Sequence, residues 1–344
     1  MSRNTRVTLN DQSSYALRPQ PKLGQYDFSF TLNPVIGCFM GCKYCFSPGV
    51  AYQYRTRQEG RELFFTNAIV QLDKAEHLDK ELKRYSILPQ HMKRVQVNEI
   101  SEYYQSKVIS ELKDKKQPDL MKEILGKFKG HYDNGNCWMV HILTKSHLIL
   151  NHLDILKEMK QQVQVEISFA TYDDKISRSL EFYTPDVSKR LEVVEKLSDA
   201  GIFVRVMAMP FYGNKKDLLK LKRETFKRGA KAFKNKGLNY FKDWDELRQD
   251  MTFDEFLNAD LSTGKGRVDE KVESLIIKSG EYALNENGNQ RYKTVLVPRM
   301  DDNFKAIEQW SAVTLMDERF ERRRMKMIDC GYKDCNKLDW GYVI

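Results

Sequence analysis

Apolar and polar positions change rhythm several times along the chain, and each change marks a predicted element. Residues 1–25 show no period and contain the breakers Pro19, Pro21 and Gly24, so they read as an extended arm. Phe28-Ser-Phe-Thr-Leu32 alternates apolar and polar residues, as a strand does. The apolar run Leu63 to Leu72 fits strand and helix equally, whereas Asp73 to Tyr85 is helical, with Leu78 and Leu82 on one face. A regular alternation follows. Strands are predicted at 94–97, 138–143, 163–169 and 202–207. Helices are predicted at 108–128 (broken near Gln117-Pro118), 150–159 and 185–200, the last carrying Val187, Leu191, Val194 and Leu197 and stopping at Gly201.

Short strands alternating with longer helices specify βα units and a parallel sheet, so the predicted fold class is α/β. Four or more such units curl toward a full or partial barrel, whose chemistry sits at the C-terminal ends of the strands. The rhythm degrades after Pro210. Residues 214–236 are Lys-rich and helix-like, residues 237–290 are polar with weak periodicity, 292–297 is one more strand, and 306–325 a charged helix. The expected organisation is an arm at 1–25, a core at 26–212, and a less regular C-terminal extension at 213–344 that completes the barrel and carries specificity.

Composition narrows the class. No stretch approaches ~18 uninterrupted apolar residues, and the first twenty residues lack the apolar core of a signal peptide, so a soluble cytoplasmic protein with no membrane partner is expected. Lys plus Arg number 57 against 48 Asp plus Glu, a net charge of +9 that permits a phosphate-rich partner without requiring one.

Only six cysteines occur, and three lie in Cys38-Phe39-Met40-Gly41-Cys42-Lys43-Tyr44-Cys45. Neighbours this close cannot brace a fold as disulfides, so they read as metal ligands. Three thiolates on one loop can hold three corners of a 4Fe–4S cubane and leave the fourth iron open for a ligand. A zinc knuckle completed by a distant Cys or His is the competing reading. It leaves unexplained both the aromatic Tyr44 before the third cysteine and the position of the loop directly after the first strand.

This loop resembles that of the radical SAM superfamily, and the longer string from Asn33-Pro34 through Cys45 resembles the spore photoproduct lyase branch, which reads NPxxGCxxGCxYC. Leu143-Thr144-Lys145-Ser146, Glu166 to Thr171, Glu181, Pro185, Arg190-Leu191-Glu192 and the stretch from Ala200-Gly201 to Pro210 resemble further segments of that branch, so the likeness covers roughly residues 28–212. It implies a partial (β/α)6 barrel, a 4Fe–4S cluster on Cys38, Cys42 and Cys45, and S-adenosylmethionine bound across the mouth and cleaved to a radical that abstracts a substrate hydrogen. By motif position, Lys145 pairs with the cofactor carboxylate and Ser101 and Glu102 hold its amine. Ser168 faces the ribose, and the backbone around Tyr44 meets the adenine. The electron comes from a flavodoxin or ferredoxin.

One departure separates this chain from the lyase, where a cysteine just before the equivalent of Ser101 returns a hydrogen atom to the product. Here the stretch is Asn98-Glu99-Ile100-Ser101-Glu102-Tyr103-Tyr104-Gln105, with no cysteine. Tyr103 or Tyr104 could relay a radical instead, or simply pack. Cys335, with Cys330, could reach the mouth as a hydrogen donor or be inert. Cys137 is expected to be a buried apolar residue.

The resemblance favours DNA or RNA as the substrate. Ten basic residues between Lys215 and Lys236, with Phe226, Phe233, Tyr240 and Trp244 interleaved or nearby, suit a nucleic-acid track as well as a solvated helix face. Two alternatives remain open: the same chemistry on a protein or peptide, and a non-catalytic iron–sulfur protein that binds nucleic acid.

Overall fold

The computed structural model of the chain describes residues 5–19, 28–52, 55, 57–88, 92–236, 249–259, 294–296, 299–300 and 306–308. The chain opens with β1 (Arg6–Asn10) and β2 (Arg18–Pro19), followed by β3 (Phe30–Leu32) and β4 (Val35–Ile36). After the cysteine loop come α1 (Ser47–Ala51), α2 (Arg57–Thr66), β5 (Asn67–Gln71) and α3 (Lys74–Arg84). Strands and helices then alternate through β6 (Arg94–Val97), α4 (Ser106–Asp114), α5 (Leu120–Asp133) and β7 (Met139–Thr144). A 3-10 segment (His147–His152) runs into α6 (Leu153–Glu158), β8 (Val163–Ser168), α7 (Asp174–Leu180), α8 (Val187–Asp199), β9 (Phe203–Ala208), α9 (Lys215–Lys227) and β10 (Ala232–Lys236). The segments α10 (Phe253–Asn258) and β11 (Thr294–Leu296) follow.

The main sheet has the order β11-β10-β9-β8-β7-β6-β3-β2. Its six inner strands, β3, β6, β7, β8, β9 and β10, run parallel to one another, with β2 and β11 antiparallel at the edges. Six parallel strands joined by helical crossovers make the expected partial (β/α)6 barrel. Local sequence supports each piece. Asp119, Asp173 and Asn214 cap α5, α7 and α9 by accepting backbone N–H groups, and Glu76–Lys80 and Asp79–Lys83 brace α3 at i,i+4 spacing. Leu78 and Leu82 are fully buried as predicted.

The outer face of the sheet is aliphatic: Val95, Val97, Val140, Ile142, Val163, Val165, Val204 and Val206 belong to one core with α5 and α8. The other face is polar. There the Arg205 guanidinium is paired with Glu166, which also accepts from Gln164 Nε2 at 2.9 Å and lies 3.8 Å from His141. Placing hydrogen-bonding and charged groups where a closed barrel carries Val and Ile leaves an interior suited to polar contents.

Several expectations change. The Leu63–Leu72 run is both helix and strand, because α2 ends at Thr66 and β5 begins at Asn67. The arm docks: β1 pairs parallel with β5, and Asp73 accepts from Ser13 N at 2.6 Å and from its hydroxyl at 2.5 Å. The Lys-rich stretch 214–236 is not one helix. Gly229 (φ 87°) ends it beneath Ser198, where a side chain could not fit, and 232–236 forms the sixth barrel strand. Ala306–Glu308 is a strand rather than the start of a helix; residues 309–325 lie outside the described residues. No helix of the described residues is long and apolar enough to cross a membrane.

Candidate active site

The cysteine loop leaves β4, a strand of the small sheet β1-β5-β4, and meets residues that follow the C-terminal ends of β6 and β7 in the main sheet. Gly37 (φ 102°) begins it with a conformation only glycine adopts easily, and a Cβ there would collide with the Asn67 carbonyl. The loop is then tied to its surroundings backbone by backbone. Cys38 N donates to Phe64 O at 2.7 Å and Lys43 N to Leu180 O at 2.9 Å, while Met40 O accepts from Tyr183 N at 3.1 Å.

Gln105, at the N-cap of α4, grips the loop. Its Oε1 accepts from Phe39 N at 2.6 Å and its Nε2 donates to Gly37 O at 3.2 Å, so one amide brackets Cys38 on both sides. The same Nε2 also donates to the Glu102 carbonyl.

Three free thiols result, with Cys42 buried and Cys38 and Cys45 partly so. Burial drives all three thiol pKa values up, Cys38 to about 12, with the neighbouring Cys45 and Glu102 adding to the rise. The Lys145 ammonium opposes this at all three. A set of thiols that burial keeps protonated, facing a half-buried cation, suits a positively charged group that takes them as thiolates. Among the described residues no three Cys, His, Asp or Glu side chains converge tightly enough for a single metal ion. A cubane takes each thiol at a separate iron, so the three need not meet at one point, and three free thiols within eight residues of one loop fit it.

Lys145 sits one residue past the end of β7, at the mouth. Its Nζ donates to Ser168 Oγ at 2.7 Å, stands 3.6 Å from Glu181 Oε1 and lies 5.6 Å from the centre of the Tyr44 ring. The structure thus brings Lys145, Ser168 and Tyr44 together, and adds Glu181 to them. Tyr44 donates its hydroxyl to Glu181, which also accepts from Ser177, Thr184 and Arg190, the last at 2.7 Å. Burial alone would raise the Glu181 carboxyl, but Arg190, Lys145 and the Tyr44 hydrogen bond lower it to about 2.

The Glu181–Arg190 pair is fully buried, and Arg190 also donates to the Ser168 carbonyl at 2.9 Å. Removing one partner of such a pair strands the other, so Glu181→Gln is expected to destabilise the cluster-free chain by about 3 kcal/mol in urea unfolding. Because the folded carboxyl is lowered, this contribution is present above the ordinary carboxylate pKa and fades as pH falls toward about 2.

Glu102 lies on the other side of Lys145. Its carboxylate accepts from Thr144 Oγ1 at 2.8 Å, Lys145 N at 3.1 Å and Tyr104 N at 3.0 Å. Burial raises its carboxyl to about 7, against the pull of those bonds. Ser101 donates its hydroxyl to the Val35 carbonyl, anchoring the strand that leads into the loop.

One expected residue among the described ones is not brought to this group. The Tyr103 hydroxyl donates to Asp119 at 3.1 Å and accepts from Met121 N, at the start of α5. Cys335, with Cys330, lies outside the described residues. Cys137 is buried but disulfide-bonded, not a plain apolar thiol. Sequence reasoning gives Gln105 no role, although it ends the very stretch that carries Ser101 and Glu102, and leaves Glu181 and Arg190 open between an ion pair and a catalytic role; they form the ion pair.

A sequence profile described as the Radical SAM superfamily matches residues 32–225. An uncharacterized protein of Mycobacterium tuberculosis is 28% identical over 197 residues, covering 57% of this chain and 53% of that protein. One of Methanocaldococcus jannaschii is 21% identical over 173 residues, 50% of this chain and 56% of that one. The chain therefore spans little more than half the length of these relatives. Among solved structures, a point mutant of spore photoproduct lyase superposes with a TM-score of 0.54 at 13% identity, over 86% of this chain and 75% of the lyase. A second lyase structure, with bound AdoMet and dinucleoside spore photoproduct, gives 0.50 at 12% identity, over 64% and 57%. At such identities the likeness establishes the fold.

Proposed function

Because this chain belongs to the radical SAM superfamily, whose enzymes use a 4Fe–4S cluster and S-adenosylmethionine, we propose that Cys38, Cys42 and Cys45 hold that cluster and that the enzyme abstracts a hydrogen atom from nucleic acid. The carrying observation is the loop of three free thiols at the C-terminal rim of six parallel strands, faced by the Lys145 ammonium. When bound, the cluster and S-adenosylmethionine supply a 5′-deoxyadenosyl radical after one-electron reduction, the electron coming from a flavodoxin or ferredoxin. The chain's own residues do the rest by placement.

Lys145 offers a charge-assisted donor to the cofactor carboxylate, already oriented by Ser168 and Glu181. Glu102, held by Thr144 and two backbone amides, presents a carboxylate to the cofactor amine. Gln105 and Ser101 fix the loop so that the three thiols keep their spacing. Ser168 faces the ribose and the Tyr44 backbone the adenine. The buried surroundings of the loop keep water from a reactive radical.

For the substrate, support comes from α9. Lys216, Lys220, Arg223 and Lys227 are all exposed and lie at i, i+4, i+7 and i+11, one face of a helix about 16 Å long between first and last. The Lys220 ammonium is 4.7 Å from the centre of the Tyr172 ring, on the segment that leaves β8 at the mouth. Lys220 thus stands beside a segment that leaves the mouth, and the stripe it belongs to suits successive phosphates. Of the aromatics, Phe226 and Phe233 are core residues and do not serve it; Tyr240 and Trp244 lie outside the described residues.

Replacing Lys216, Lys220 and Arg223 together with Glu should weaken nucleic-acid binding at least ~10-fold and flatten its salt dependence by about three charges. The reaction itself is tested by anaerobic turnover with deuterated DNA and RNA. Deuterium in 5′-deoxyadenosine is expected, and its absence with every nucleic acid would shift the assignment to a protein or peptide substrate.

A further inference from the structure

The cysteine loop does not belong to the main core. Met40, Cys42, Tyr44, Phe64 and Phe65 form a separate apolar cluster that is completed by Phe256 and Leu257, some two hundred residues further along the chain. Residues 249–259 return to the loop from a region whose sequence shows no barrel rhythm. They are fastened there by two buried cations.

The Lys43 ammonium donates to Gln249 O at 2.7 Å, and the Arg61 guanidinium donates to Phe256 O and Ala259 O, both at 2.7 Å. Phe256 O lies in the last turn of α10, where it also accepts from Ala259 N at 3.3 Å, and Ala259 is the C-cap, so Arg61 ties down the helix end while stacking 4.7 Å over the Phe256 ring. At its other end α10 carries a complete capping box between Thr252 and Glu255.

The contact with the loop is close. A Cβ on Gly41 would lie 3.1 Å from Phe253 and 3.3 Å from Phe182, so the two rings lie directly against the backbone between Cys38 and Cys42. Phe182, Phe253 and Phe256 pack mutually with centroids 5.4–5.9 Å apart. A wall of aromatic rings this close to a loop excludes water by volume rather than by polarity.

We propose that Gln249–Ala259 is a resident cap on the cysteine loop, latched by Arg61, that keeps water and dioxygen from its Cys42 side. Its purpose rests on the cluster assignment; its existence does not. Arg61 is on this account a positioning residue, acting through α10 on the loop. A loop carrying an oxygen-sensitive cluster gains from such a cover, since dioxygen reaches a cluster as fast as the protein around it opens.

The test uses the full chain without cluster, reduced and anaerobic, alkylated with N-ethylmaleimide and read thiol by thiol by mass spectrometry. Arg61→Gln and Phe253→Ala should each speed modification of Cys42 about tenfold, as expected where the opened population controls access. Thr252→Ala, an exposed change that loosens α10 and leaves the loop's contacts intact, should raise it severalfold and decides the matter if the other two variants unfold. Unchanged Cys42 reactivity in folded variants would overturn the cap, whether or not the chain takes up iron. In the iron-loaded protein the same substitutions should shorten the survival of the cluster's visible absorbance in air while leaving anaerobic iron uptake intact. Equal survival would again overturn it, and a failure of iron uptake in the unaltered chain would instead count against the cluster assignment.

Discussion

Cys42→Ala is expected to reduce iron bound after anaerobic reconstitution from about four per chain to well under one, with the visible absorbance of the cluster lost in parallel. The reason is geometric. Cys42 is the middle ligand of a loop whose ends are fixed by Phe64 O and Leu180 O, and its backbone bridges to Glu181. The one other cysteine among the described residues, Cys137, precedes β7 and so lies at the opposite rim of the sheet from Lys145 and the loop. Cys38→Ala and Cys45→Ala should behave alike. A Cys42→Ala protein that retained a full complement of iron and sulfide would show that these cysteines are not the ligands.

Lys145→Met should weaken S-adenosylmethionine binding by ~10–100-fold, the equivalent of one charge-assisted hydrogen bond of about 1.5–3 kcal/mol. Met fills similar volume, so the comparison isolates the charge. Ser168 loses its donor at 2.7 Å and Glu181 one of its two cationic neighbours, while Arg190 still neutralises that carboxylate, so the fold is expected to survive. Equilibrium binding to the reconstituted protein checks the affinity. An unchanged dissociation constant would place the cofactor carboxylate elsewhere. The variant should also leave iron loading as it was, which separates a cofactor contact from a cluster-holding role.

Much of this architecture is visible in the amino-acid order, for identifiable reasons. β6 to β9 are short, β-branched runs ended by polar residues, and each is followed by a helix with an apolar stripe, so period alone locates them. The cysteine spacing is equally direct. What stays hidden is hidden by charge or by distance. β10 carries Lys234 and Lys236 in five residues, and a strand that buries a lysine reads as part of the basic helix before it. Gly229 was the available signal for the break.

Gln105 looks like an ordinary surface polar residue, and for Glu181 and Arg190, marked only by family likeness, nothing local records that the fold will bury them. Their roles come from partners 9 to 137 positions away. The cap was half legible, since Thr252-Phe253-Asp254-Glu255 is a capping-box signature before two apolar residues. Its seat on the cysteine loop depends on Arg61 and Lys43, which no period connects to it.

The polar face of the sheet was also unanticipated. Glu166 and Arg205 each occupy a position where alternation in a buried parallel strand predicts an aliphatic residue, and they answer each other only once β8 and β9 are in register. Complementary charge across adjacent strands is a tertiary property, and sequence period alone does not carry it.

The central claim is that this loop and this mouth together generate a radical from S-adenosylmethionine. It is tested most directly by incubating the reconstituted, dithionite-reduced chain with S-adenosylmethionine under anaerobic conditions and quantifying 5′-deoxyadenosine. Formation of 5′-deoxyadenosine and methionine by the unaltered chain, and none by Cys42→Ala, is the predicted result. A chain that holds four irons, shows the signal of a reduced cluster, binds S-adenosylmethionine and yet forms no 5′-deoxyadenosine would contradict it.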